Sequence, residues 1–87
     1  MGKYTLLEMF LKATPPHVQE ITLSFAQIEM IIGANLPPSH WKYRPWWANQ
    51  RDISIRPHAR AWLNTGFVVK AVHQDKDNGW VTFARSQ

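Results

Sequence analysis

The decapeptide Lys42-Tyr43-Arg44-Pro45-Trp46-Trp47-Ala48-Asn49-Gln50-Arg51 gathers three side-chain chemistries used in nucleic-acid recognition. Lys42, Arg44 and Arg51 can neutralise phosphates, Asn49 and Gln50 can pair with the donor–acceptor edge of adenine, and Trp46 and Trp47 can stack on unpaired bases. A structural role competes with the last of these, because a small domain has few large rings for its centre and adjacent tryptophans serve as core anchors. Upstream, Ser39 and His40 follow Leu36-Pro37-Pro38 and open a short helix. Free first-turn amides and a hydroxyl there can hold a phosphate, or Ser39 can act as an ordinary N-cap. Downstream, Arg56 and Arg60 share a helix face at i, i+4, and with His58 they extend the same basic surface.

Charge distribution supports this focus. The chain carries ten Lys and Arg against six Asp and Glu, a formal +4. Between His40 and Arg60 stand Lys42, Arg44, Arg51, Arg56 and Arg60 against the single acid Asp52, so this stretch holds the whole net charge. A localised positive field attracts phosphate-bearing or acidic partners. The later sequence Gln74-Asp75-Lys76-Asp77-Asn78-Gly79 is acidic on balance, which argues against a phosphate-gripping loop there.

Other chemistries lack their motifs. The histidines at 17, 40, 58 and 73 show neither H-x-x-x-H nor H-E-x-x-H spacing, and the chain has no Cys, so no metal or other cofactor is expected. Neither G-x-S-x-G nor G-x-x-x-x-G-K occurs. His58 or His40 with Asp52 has the right groups for acid–base work at a phosphodiester, which leaves a small nuclease as a third reading behind two binding functions. The absence of Cys removes the disulfide signature of a secreted miniprotein and suggests a reducing cytoplasm. The first residues lack a continuous apolar run and a small-residue cleavage site, and Leu6 stands where a myristoylation motif has Ser or Thr. No segment approaches the apolar length that spans a bilayer, so no membrane role is expected.

These residues must be positioned by a small fold. Eighty-seven residues predict one domain, 1–87, and five Trp supply bulk that so short a chain otherwise lacks. Tyr4, Leu7 and Leu11 recur at helical spacing and predict a helix from Lys3 to Ala13, stopped by Pro15 and Pro16. His17 to Leu23 reads as a strand. Ser24 and Gln27 form a capping box, Leu23 and Ile28 a hydrophobic staple, and Gly33 a left-handed cap, which together predict a helix from Phe25. A short helix over His40 to Arg44 is interrupted by Pro45, and a further one runs from Arg56 to Gly66 with Pro57 in its first turn. Phe67 to His73 and Trp80 to Arg85 predict a terminal hairpin, its Asn78-Gly79 suited to a tight turn. The order predicts an α+β fold like a winged helix-turn-helix: three or four helices with a short three-stranded antiparallel sheet ending in a C-terminal hairpin. About thirty residues between Gly33 and Phe67 exceed that motif's spacing. A three-stranded sheet backed by helices, without a DNA-reading role, fits the same elements.

The segments Leu23-Ser24-Phe25, Ile28-Glu29, Gly33, Leu36-Pro37, Ser39, Arg44, Trp46-Trp47, Asn49, Ala61-Trp62-Leu63, Gly66 and Val81-Thr82-Phe83 resemble a small uncharacterised bacterial domain family. Its pattern reads T-F-x-x-I-E, L-G-x-x-L-P-x-S, W-W-x-N and A-W-L-x-A-G-W. The similarity runs from Glu20 to Arg85, and Thr65 and Phe67 depart from the pattern's Ala and Trp conservatively. The resemblance implies a bacterial or phage origin and nucleic-acid surroundings, and it implies no reaction. Residues and resemblance together lead to a nucleic-acid-binding protein, DNA before RNA, that contacts phosphates through residues 39–60. The alternative is a protein-interaction or accessory module of a phage or bacterial defence system, homodimeric or with a protein partner, using the same segment as its interface.

Overall fold

Local sequence signals fix most elements of the computed structural model, which describes residues 2–49 and 57–86. The first helix, α1 (Thr5–Lys12), buries Leu7 and Leu11, one turn apart, and exposes Leu6, Met9 and Phe10. Strand β1 (Glu20–Ser24) starts three residues later than its apolar pattern suggests. The cause lies at the other end of the chain. Arg85 donates from Nε to the Val18 carbonyl (2.8 Å) and from Nη2 to those of Thr14 and Pro15 (3.0 Å each), holding residues 14–18 as a loop. The Arg85 guanidinium also lies over the Phe67 ring, 4.6 Å from its centroid.

Helix α2 (Phe25–Ile32) begins and ends as its caps dictate. Ser24 Oγ accepts from the Gln27 amide (3.0 Å), Gln27 Oε1 accepts from the Ser24 amide (2.8 Å), and Gly33 closes the helix at φ 69°. Helix α3 (Ser39–Lys42) is a single turn, followed by a 3-10 turn over Arg44–Trp47. Pro45 has no N–H to donate to the Trp41 carbonyl, so the α-helical ladder cannot continue. A second 3-10 turn, Pro57–Ala59, leads into helix α4 (Arg60–Leu63), and the chain reverses at Gly66, φ 83°.

Strands β2 (Phe67–His73) and β3 (Trp80–Arg85) coincide with the two predicted runs. The sheet is antiparallel in the order β1-β3-β2, with Leu23 opposite Val81, Ile21 opposite Phe83 and Val69 opposite Phe83. Leu23, Phe67, Val69, Val81 and Phe83 are buried against the helices, with Leu7, Leu11, Ile28, Ile32, Leu36, Trp47 and Trp62. The fold class is α+β, four helices and a three-stranded antiparallel sheet among the described residues. No helix there is long and apolar enough to cross a membrane.

The hairpin departs from expectation at Asn78-Gly79. Asp75 Oδ2 accepts from the amides of Asp77 (3.1 Å) and Asn78 (2.7 Å), so the turn forms over residues 75–78. Gly79 has no positive φ and is buried. Its requirement is steric: a Cβ there would stand 2.1 Å from Phe25 Cε2 and 2.5 Å from the Asp75 carbonyl oxygen. The Phe25 amide also donates to the Gly79 carbonyl at 3.0 Å, tying the start of α2 to the hairpin. Gly79→Ala is therefore expected to cost about 2 kcal/mol or more in urea unfolding through overpacking. Exposed Asn78→Ala is expected to change stability by less than about 0.5 kcal/mol. The reverse order would restore the tight-turn explanation.

Candidate nucleic-acid interface

The basic, Trp-rich segment divides into a structural half and a solvent-facing half. Trp46 and Trp47 are 8% and 1% exposed. The Trp47 ring stacks on Phe25 (5.5 Å, 4° between planes) and on Trp62 (5.7 Å), and meets Trp46 edge-on at 4.6 Å. Its Nε1 donates to the His40 carbonyl at 2.8 Å. Trp46 stacks on the His58 imidazole at 3.8 Å and touches Tyr4 edge-on at 6.1 Å. Neither ring has a face open to a base, so stacking on single strands through Trp46 and Trp47 is lost.

His40 and His58 are bound up in the same core. His40 Nδ1 donates to the Pro37 carbonyl (2.6 Å) and His58 Nε2 to the Trp46 carbonyl (2.6 Å). Because a carbonyl only accepts, each of these nitrogens carries a proton. The His40 ring also meets Phe25 edge-on at 4.7 Å. Both histidines are buried, which removes them from direct contact with a large ligand.

Asn49 is engaged in a way that its adenine-reading chemistry foreshadows. β2 lies at an edge of the sheet, where Val69 presents its N–H and C=O outward. The Asn49 carboxamide meets both: Oδ1 accepts from the Val69 amide at 2.7 Å and Nδ2 donates to the Val69 carbonyl at 3.0 Å. Oδ1 also accepts from Trp62 Nε1 at 3.1 Å. The side chain thus stands in for one residue of a neighbouring strand, and base reading would require it to release all three bonds.

Ser39 also differs from expectation. The N-cap of α3 is Pro38, and no side chain caps the helix. The His40 amide donates to the Pro37 carbonyl at 3.0 Å and the Trp41 amide to that of Pro38 at 3.2 Å, so these two amides already have acceptors and the short helix offers little to a phosphate.

The remaining candidates are cations. Lys42, Arg44 and Arg60 are exposed and make no ion pair among the described residues. Gln50, Arg51 and Arg56 lie outside the described residues. Two lysines that acids balance along the chain join one of these cations, Arg60, in space. Lys3, Lys12 and Arg60 line one open cleft of about 660 Å³ between α1 and α4, with Glu8 as its single acid and Tyr4 on its wall. Burial raises the Tyr4 phenol above its ordinary pKa of 10.0, keeping it neutral there. By contrast Lys70 pairs with Glu20, and Arg85 is engaged by carbonyls. No group of three or more His, Asp or Glu suited to a metal ion occurs among the described residues.

A residue that linear reading passes over is Trp41. It is half-buried on α3, with Lys42 Nζ 5.1 Å and Lys76 Nζ 5.9 Å from its ring centroid. The sequence signal for it is the adjacent Trp41-Lys42 pair, an aromatic beside a base. The hairpin turn is also closer to the basic segment than its acids suggest: Gln74 Nε2 donates to the His40 carbonyl at 3.0 Å.

Fold and surface together define a small α+β domain in which an aromatic core fixes a segment whose described cations, Lys42, Arg44 and Arg60, face solvent. The chain belongs to the family described as a domain of unknown function, DUF7662, whose model matches residues 4–86. This agrees with the resemblance to a small uncharacterised domain family. No curated protein and no solved structure matches the chain.

If Asn49 is a clamp on the sheet edge, Asn49→Ala leaves the Val69 amide and Trp62 Nε1 without their acceptor. A loss of about 2–3 kcal/mol is expected in chemical denaturation, since orphaned polar groups cost about 1–3 kcal/mol each. An unchanged unfolding midpoint would contradict the clamp.

Proposed function

We propose that this protein binds nucleic acid, DNA in the first instance, through the phosphate backbone. One observation carries the reading: Lys3, Lys12, Lys42, Arg44, Arg60 and Lys76 make no ion pair among the described residues, and three of them converge on a single cleft. Paired surface cations are already neutralised locally, whereas unpaired ones attract phosphates and release counterions on binding. Asn49, Trp46 and Trp47 have structural partners, so the reading rests on charge and not on base contacts from these three.

A winged helix-turn-helix-like docking mode belongs to the same proposal. In that arrangement the hairpin flanks the helix presented to DNA. The Gln74 bond to His40 and the approach of Lys76 to Trp41 support it, since both bring the β2–β3 turn beside α3. α3 has only one turn, so backbone contact suits it better than deep reading of the major groove.

A protein-interaction role has a different surface in its favour. Leu6, Met9 and Phe10 are 43%, 54% and 37% exposed and share one face of α1. That reading expects a stable oligomer or complex by light scattering and no salt-linked affinity for nucleic acid.

Fluorescence anisotropy with a labelled oligonucleotide, titrated over a range of salt concentrations, tests the phosphate reading. Affinity is expected to fall steeply with salt. Lys12→Gln and Arg60→Gln are each expected to make the log–log slope shallower by about one, with no loss of folding. No binding at low salt, or slopes untouched by both substitutions, would overturn it.

A further inference from the structure

Trp41 is set apart from the other core tryptophans by what lies over it. Its indole packs partly against the core, and the ammonium groups near its ring come from two elements distant in sequence, Lys42 of α3 and Lys76 of the β2–β3 turn. This juxtaposition is built into the fold. Gln74 Nε2 donates to the His40 carbonyl, which also accepts from Trp47 Nε1, so the base of the hairpin turn and the core both hold α3. The turn itself is fixed by Asp75 Oδ2, which accepts from the Asp77 and Asn78 amides.

Neither lysine has a carboxylate partner among the described residues. Asp75 and Asp77 flank Lys76 in sequence, but Asp75 Oδ2 is taken by the turn amides and neither acid pairs with the ammonium, so the turn's acidic balance does not neutralise Lys76. Each ammonium instead lies near the negative face of the indole, a weak attraction at an exposed site. Two cations beside one ring repel a cationic ligand such as a quaternary ammonium. A group with a flat π-face and an anionic neighbour fits: the ring takes the stacked plane, and the lysines move off it onto the anion. A nucleotide within a strand has that pairing, a base flanked by phosphates. In a duplex the base faces are already covered by their neighbours, so this seat selects unpaired nucleotides.

We infer that Trp41, Lys42 and Lys76 form a seat for one unpaired nucleotide of a single strand, its base stacked on the indole and its flanking phosphates held by the two lysines. This rests on the phosphate-binding reading above and adds a single-strand contribution to it.

The test compares three probes of equal length at one low salt concentration: a single-stranded DNA oligonucleotide, the same strand made abasic, and the corresponding duplex. The wild-type chain is expected to bind the normal single strand about 5- to 150-fold more tightly than the abasic one, the range expected for one stacked base. Trp41→Ala is expected to abolish that difference while leaving affinity for the abasic strand and the duplex within about twofold. Trp41→Phe is expected to retain most of the difference, which guards against a general effect on folding, and thermal melts of both variants check it directly. Lys76→Gln is expected to make the salt slope for the single strand shallower by about 0.7. Equal binding of normal and abasic strands by the wild type, or equal weakening of all three probes by Trp41→Ala, overturns the seat while the phosphate reading stands. Failure of all three probes to bind overturns both.

Discussion

The ring of Trp47 is the contact on which most of this molecule depends. It lies flat against Phe25 of α2, close to Trp62 of α4 and edge-on to Trp46, and its indole nitrogen is bonded to the carbonyl of His40. Four separate parts of the chain therefore meet at one side chain. Truncating a buried Trp costs about 3–5 kcal/mol. A domain of this size has about 5 kcal/mol of stability or little more. Loss of Trp47 would thus be felt as loss of the fold, and reduced binding in such a variant would say nothing about base stacking. The consequence for function is positional. With the rings inside, Lys42 and Arg44 are displayed at the surface beside a packed core.

Asn49 shows how one chemistry can serve two recognition problems. Its carboxamide offers a donor and an acceptor side by side, the same pattern that matches the adenine edge. A peptide group on a free sheet edge presents the complementary pattern, and Val69 uses it. The edge of β2 is thereby closed by a side chain, which also limits pairing with another chain at that point. The Trp-Trp-x-Asn segment then reads as one structural device: two rings enter the core and the amide two residues later locks the sheet edge beside them.

What was legible in the sequence was local. The Ser24–Gln27 capping box, the Gly33 cap, the break at Pro45 and both hairpin strands depend on residues within one turn or one strand of each other, and they appear where pattern and propensity put them. What was hidden depends on long-range approach. Asn49 and Val69 are 20 residues apart, Gln74 and His40 are 34, and Arg85 and Thr14 are 71. The same holds for charge: Lys3 and Lys12 balance acids along the chain, yet in space they stand with Arg60 around one acid, Glu8. Gly79 follows the same rule: its need is steric, set by the Phe25 ring of α2 and the Asp75 carbonyl, and not by a positive φ.

The central claim is that the Trp46 and Trp47 rings lie in the core and the Asn49 amide clamps the sheet edge, which leaves Lys42, Arg44 and Arg60 exposed for the phosphate contact proposed above. Following indole and backbone N–H signals by NMR during titration with a single-stranded oligonucleotide at low salt tests it most directly. The account predicts that the amides of Lys42, Arg44 and Arg60 shift, while the indole N–H signals of Trp47 and Trp62, held by His40 and Asn49, stay in place and exchange slowly with solvent. Large ligand-induced shifts of those two indoles, with the cation-bearing residues unmoved, would contradict it.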